Sequence, residues 1–144
     1  MSICKIYTDG SCLKNPGGVS GWSFCIHDND KIWLVSGGLP SSTNNRAELI
    51  AVLEALKWVG CECGEYLIYT DSMLTLNCAQ EIWKKKSNLD LWERYKKLSK
   101  NKKIKWKWVK GHSGDKYNDL VDKAARKEAL IIQKNKNLNK NLGD

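Results

Sequence analysis

Four carboxylates in this 144-residue chain sit where secondary-structure elements should begin or end. Asp9 and Asp71 each close a short apolar run, and Glu48 and Asp122 fall in the first turns of two helical patterns. In α/β sheets, functional groups gather where strands end and helices begin. Carboxylates brought to one place repel one another, and hard divalent cations such as Mg²⁺, which prefer oxygen ligands, relieve that repulsion. Two such ions a few Å apart can activate a water and stabilise a leaving oxygen, the chemistry of phosphodiester cleavage. Each acid also has a plainer explanation. Asp9-Gly10 suits a turn, Asn45 to Glu48 has the spacing of a capping box, and Asp71 could cap the next helix. Asp122 could pair with Arg126 four residues on. Spacing alone does not show that the four converge.

Other reactive side chains are few. His112 lies on a loop flanked by Gly111 and Gly114, and an imidazole there can change charge near neutral pH. His27, at the end of a strand pattern, reads as structural. The six cysteines include Cys61-Glu62-Cys63, which lacks the paired spacing of a zinc site. The first residues show no apolar signal-peptide region. The thiols are therefore expected to be reduced and the protein to be cytoplasmic.

The elements that must position these groups follow from the patterning. Residues 2–8, 22–26 and 32–35 read as three strands joined by short turns, an antiparallel meander, the third closed by Gly37-Gly38. A helix opens at Asn45-Arg46-Ala47-Glu48 and carries Leu49, Val52, Leu53 and Leu56 on one stripe. A strand over 66–70, helical patterns over 72–83 and around 91–98, a strand over 104–108 and a helix over 118–133 follow. Three strands and then alternating helices and strands imply an α/β layer with a mixed sheet. Residues 1–133 are expected to form one domain. Residues 134–144, rich in Lys and Asn, lack a core pattern and are expected to be a mobile tail.

Charge narrows the partner. The chain carries 24 Lys+Arg against 16 Asp+Glu, a net charge of +8, with 42% hydrophobic residues and seven Trp. That composition excludes a disordered chain. The richest apolar stretch, 49–59, is broken by Glu54 and Lys57 and falls far short of a membrane span. Residues 84–110 hold 12 Lys/Arg and 2 Asp/Glu, a net of +10, so the rest of the chain is slightly acidic. Trp106 and Trp108 alternate with lysines inside that segment. Basic residues interleaved with aromatics suit nucleic acid, where lysines meet phosphates.

The residues around the four acids are more specific. Tyr7-Thr8-Asp9-Gly10-Ser11-Cys12 with Asn15-Pro16-Gly17 resembles the opening of type 1 ribonuclease H. So do Thr43-Asn44-Asn45-Arg46-Ala47-Glu48-Leu49, Tyr69-Thr70-Asp71-Ser72, Trp108-Val109-Lys110-Gly111-His112-Ser113-Gly114, and Asn118 followed by Asp122, Ala124 and Ala125. The blocks occur in the family's order and close to its spacing, from residue 3 to about 130. The resemblance implies a ribonuclease H-like fold, a five-stranded mixed sheet with helices on both faces. It implies a monomeric endonuclease that cuts the RNA strand of RNA/DNA hybrids, leaving 5′-phosphate and 3′-hydroxyl ends. Mg²⁺, or Mn²⁺ in its place, would serve as cofactor, with one or two ions per site. Asp9, Glu48, Asp71 and Asp122 would hold metal, with Asp71 touching both ions and orienting the attacking water. His112 would assist proton transfer or product departure. Cys12, Asn15, Asn44 and Asn45 would line the hybrid, the Gly10 backbone would approach the RNA, and Thr43 would grip a DNA-strand phosphate.

Two departures from the family pattern stand out. Many bacterial relatives carry a long basic helix-loop insertion where this chain has only Lys84-Lys85-Lys86-Ser87-Asn88. Substrate grip would then fall to Trp83, Lys84, Lys85 and Lys86, helped by the Lys-rich tail. Met73 also stands where the family often has a polar residue able to contact RNA. Two competing readings remain at this level: a non-catalytic hybrid-binding module, and a DNA-cutting or strand-transferring relative of the same fold. The full carboxylate set disfavours the first, and the His112 loop with the matched substrate-side residues disfavours the second.

Overall fold

A computed structural model describes residues 3–14, 18–60, 64–111 and 114–142, with side chains up to residue 139. The elements run β1 (Cys4–Cys12), β2 (Ser20–Asp28), β3 (Lys31–Leu39), α1 (Asn44–Val59), β4 (Glu65–Thr70), α2 (Met73–Ala79), α3 (Leu89–Ser99), β5 (Lys103–Trp108) and α4 (Lys116–Leu142). The five strands form one sheet in the order β3-β2-β1-β4-β5. The meander pairs are antiparallel, while β1–β4 and β4–β5 are parallel, so the sheet is mixed as expected.

Period-2 alternation sends successive residues to opposite faces. On one face Ile6, Phe24, Ile26 and Ile68 pack against the apolar stripe of α1, Leu49, Val52, Leu53 and Leu56, joined by Leu91, Trp92 and Tyr95 of α3. On the other, Tyr7 and Cys25 pack against Val121 of α4. The ring of Tyr7 stacks on Tyr69 at 4.3 Å and meets Tyr117 at 5.2 Å. His27 lies 5.0 Å from the Tyr117 ring, a structural place as expected.

Several boundaries differ from the sequence reading. β1 continues to Cys12, so Asp9 lies within the strand rather than in a turn. β3 runs through Gly37 and Gly38, expected to end it. These glycines serve packing: a Cβ on Gly37 would overlap the Trp22 ring, and one on Gly38 would overlap Ile132 of α4. α2 ends at Ala79, short of the expected 83, because the Asn77 carbonyl receives the Ile82 and Trp83 N–H groups in a turn. α4 starts at Lys116 and continues to Leu142, so nine residues expected beyond the last helix are helical. No Gly or Pro interrupts residues 116–142, and although four of the last nine are Asn, a weak helix former, Ile132 packs on Gly38 and Lys136 Nζ donates to the Pro40 carbonyl.

Candidate active site

The carboxylates arrive from four elements. Asp9 sits on β1, level with Ser23 of β2 and Ser36 of β3. Glu48 comes from the second turn of α1, whose start is fixed by Thr43: its hydroxyl accepts from the Arg46 N–H at 3.1 Å. The cap is therefore Thr43, and the capping-box explanation of Glu48 fails. Ser72, not Asp71, caps α2, accepting from the Thr75 N–H at 3.1 Å. Asp71 follows the last residue of β4, just before that cap. Asp122 is the seventh residue of α4, in its second turn rather than its first, because Asp115 starts the helix by accepting from the Tyr117 and Asn118 N–H groups.

Among the described residues, one carboxylate oxygen each of Asp9, Glu48 and Asp71 lie within 4.8 Å of one another. Asp122 also interacts with Asp9. Asp9 is 3% exposed and Glu48 8%. Glu48 Oε2 is buried with no hydrogen-bond partner. Burial first, and then the charge of Asp71 and the hydrogen bond and charge of Asp122, push the Asp9 carboxyl up to about 7 against a lowering hydrogen bond with Glu48. Glu48 is held well above the ordinary carboxylate range, first by burial and then by the charge of Asp9. Buried acids without cations are normally avoided. An all-oxygen donor set with an orphaned buried oxygen fits a hard divalent cation.

Close backbone approaches build this cluster. A Cβ on Gly10 would lie 2.5 Å from the Ala47 carbonyl carbon, so only glycine lets α1 bring Glu48 against Asp9. The Gly10 N–H donates to Asp9 Oδ1 at 2.9 Å. Asp71 is fixed from β5. The Trp108 indole N–H donates to the Asp71 carbonyl at 3.1 Å, and the Val109 N–H donates to the Thr70 carbonyl at 2.9 Å. Gly111 comes so near that a Cβ there would stand 3.1 Å from Asp71 Oδ2. The motif blocks include Trp108 and Gly111 but give them no role, since that role depends on β4–β5 register.

The remaining residues singled out by sequence divide. The Asn44 side chain accepts from the Cys12 N–H at 2.8 Å, tying the end of β1 to the start of α1. Cys12 Sγ faces the Lys14, Gly18 and Ser42 carbonyls. Asn45, Lys84 and Lys86 line one groove with Ser87 and Asn88. Lys85 turns away, its Nζ 5.2 Å from the Trp92 ring centre and 3.8 Å from Glu81 Oε1. Trp83 is 46% exposed, and so is Met73. Asn15 and His112 lie outside the described residues. Sequence reasoning missed Arg46, whose guanidinium reaches Asn88 Oδ1 at 3.2 Å and both Asp90 oxygens at 3.1 and 2.7 Å, joining α1 to the start of α3.

Known proteins share the fold and much of the sequence of this chain. The RNase H family model matches residues 2–130. The ribonuclease H of Campylobacter jejuni (strain RM1221) is 41% identical over 140 residues, covering 92% of this chain and 94% of that protein. That of Xanthomonas campestris pv. campestris (strain 8004) is 37% identical over 143 residues, covering 90% and 94%. Among solved structures, LC9-RNase H1 is described as a type 1 RNase H with the type 2 active-site motif. It superposes with a TM-score of 0.75 at 28% identity, covering 88% of this chain and 72% of that one. LC11-RNase H1 in complex with RNA/DNA hybrid gives a TM-score of 0.71 at 22% identity, covering 86% and 97%, which speaks to the fold alone.

Proposed function

This chain belongs to the ribonuclease H family, and from that premise we propose that it hydrolyses the RNA strand of RNA/DNA hybrids with divalent metal, leaving 5′-phosphate and 3′-hydroxyl ends. The observation that carries the reading is the Asp9–Glu48–Asp71 cluster with its unpartnered Glu48 oxygen. LC11-RNase H1, a relative in fold, was solved with an RNA/DNA hybrid, which supports the choice of substrate.

In this reading Asp9, Glu48, Asp71 and Asp122 hold one or two Mg²⁺ ions, with Mn²⁺ as a substitute. The ions, when bound, polarise the phosphate and lower the pKa of an attacking water. The chain's own groups do the rest. Asp71, pinned by Trp108 and Val109, orients the water in line with the scissile bond. A bond forms between the water oxygen and phosphorus, and the bond from phosphorus to the ribose 3′-oxygen breaks. The 3′-oxygen leaves with a proton, and His112 assists that transfer. Gly10, Cys12, Asn15, Asn44 and Asn45 line the RNA side, where reading the 2′-hydroxyl separates RNA from DNA. Thr43, Lys84 and Lys86, with Trp83, hold the DNA strand. Lys85, engaged by Trp92 and Glu81, supports the segment from within. The protein acts as a cytoplasmic monomer. No helix among the described residues is long and apolar enough to cross a membrane.

The test is strand and end selectivity. Hybrids labelled on either strand are incubated with the protein and Mg²⁺, beside all-RNA and all-DNA duplexes. Cleavage confined to the hybrid's RNA strand, with fragments carrying 5′-phosphates, is expected. Equal cutting of the DNA duplex, or binding without turnover, would contradict the proposal.

A further inference from the structure

The last turns of α4 are basic and lie apart from the carboxylate site. Residues 134–142 contain Lys134, Lys136 and Lys140 and no acid, and they lie past residue 130, where the family match ends. They are nevertheless helical, and the helix leading into them is docked. Glu128 accepts from the Ser36 hydroxyl at 3.0 Å, Ile132 packs on Gly38, and Lys136 Nζ donates to the Pro40 carbonyl at 2.6 Å. These contacts step along β3 toward its C-terminal end.

Strand register shows where that end lies. Leu39 pairs with Ser20, and Ser20 pairs with Cys12. Pro40 is thus one residue past a line that runs across the sheet to Cys12, whose N–H is held by Asn44. Two strand spacings separate Leu39 from Cys12, about 10 Å. Beyond Lys136, six further residues carry α4 about 9 Å outward at the usual helical rise. The lysine-rich helix end therefore stands at the same end of the sheet as Cys12, on the face opposite α1 and its Asn44 and Asn45. The separation is well within one turn of a nucleic-acid duplex, about 34–36 Å.

We propose that the C-terminal end of α4, through Lys134 and Lys136, is a second phosphate-binding arm that contacts the hybrid outside the catalytic site. The inference rests on the hybrid reading above. It gives the enzyme a charged grip on the side of the site away from Lys84 and Lys86, which lie beyond α1 in the groove with Asn45. Both lysines are exposed, and the hydrogen bond to Pro40 leaves the Lys136 ammonium two further protons to donate. Contact there is electrostatic and independent of sequence, since phosphates carry no base information. The exposed Leu138 on the same turns would instead suit a second copy of the chain, and the test separates the two.

The experiment compares the wild-type chain with K134Q/K136Q and K134R/K136R. Affinity for a labelled hybrid is measured in EDTA across a salt series, alongside Mg²⁺-dependent cleavage and solution mass. Each phosphate no longer neutralised reduces the slope of log affinity against log salt by about 0.9. The glutamine variant is expected to reduce that slope by about 1 to 2 and to raise KM far more than it lowers kcat. The effect should be lost with hybrids too short to extend about 10 Å past the residues at Cys12. The arginine variant should retain wild-type slope and KM. An unchanged slope and KM in a folded glutamine variant would overturn the proposal. A change in solution mass without a change in slope would do the same and assign the helix end to self-association. Failure of the wild-type chain to cleave any hybrid would instead overturn the functional reading itself.

Discussion

At the scale of single residues, burial and mutual repulsion raise the Asp9 and Glu48 carboxyls, a cost that the proposed divalent cation would relieve. Asp9, raised to about 7 from 3.8, binds its proton more tightly in the folded chain than in the unfolded one. Its contribution to stability is therefore fully present below about pH 4 and is lost as pH rises through 7. In EDTA, the difference in Tm between wild type and Asp9→Asn should widen in the variant's favour from pH 5 to pH 8. Mg²⁺ should raise the wild-type Tm at pH 8 and hardly at pH 5, because a ligand that binds only the folded state stabilises it. Glu48→Gln should be more stable than wild type without metal and lose the Mg²⁺ response. A wild-type Tm indifferent to Mg²⁺ at pH 8 would contradict this. The identities of these acids were legible from the motif blocks around them. Their convergence was not, because Asp9 reaches Glu48 only through a helix–strand approach at Gly10, and spacing along the chain does not record that. The plainer explanations failed on caps: Thr43 and Ser72 start the helices that Asn45 and Asp71 could have started.

At the scale of elements, three joints carry the site: α1 on β1, β5 on β4, and α1 with the start of α3. Gly10→Ala forces a Cβ into the Ala47 backbone, and overpacking of this kind costs about 1–3 kcal/mol. Chemical denaturation should show that loss, and activity should fall more steeply than stability because Glu48 moves. Arg46→Ala should barely change unfolding, since exposed ion pairs contribute little. It should raise KM more than it lowers kcat, because the groove of Asn45, Lys84 and Lys86 loses its tie to Asn88 and Asp90. An equal loss of kcat would place Arg46 nearer the chemistry than the geometry does. The sheet and its order were legible, since alternation and turn chemistry are local. Boundaries were less so. Gly37-Gly38 reads as a stop in a propensity scan, yet the strand continues because Trp22 and Ile132 need the space. The end of α4 reads as patternless because it has no core to face and is rich in Asn; nothing breaks the helix there, and the contacts of Ile132 with Gly38 and Lys136 with Pro40 are not recorded in sequence pattern.

At the scale of the whole molecule, the net charge of +8 resolves into an acidic centre and basic surroundings. The segment 84–110 is the strongest part of that field, while its lysines differ in duty: Lys84 and Lys86 border the groove and Lys107 lies 5.9 Å from the Tyr69 ring centre. Binding of hybrid should weaken steeply and linearly in log salt. Replacing Lys84 and Lys86 with Gln should reduce the slope by about 0.9 for each phosphate that the lysines neutralise. A slope that does not change would remove these lysines from the interface. Composition pointed to the class of partner proposed here, and only the ordered motif blocks pointed to the proposed reaction, because charge attracts any polyanion alike. The central claim is that the clustered carboxylates hold the metal that cuts the RNA strand. It is tested most directly by cleavage of one labelled RNA/DNA hybrid, with Mg²⁺ and with EDTA, by wild type and Asp71→Asn. Wild type with Mg²⁺ is predicted to cut, and the other three reactions to show nothing above background. Cleavage by Asp71→Asn at the wild-type rate, or by wild type in EDTA, would contradict the claim.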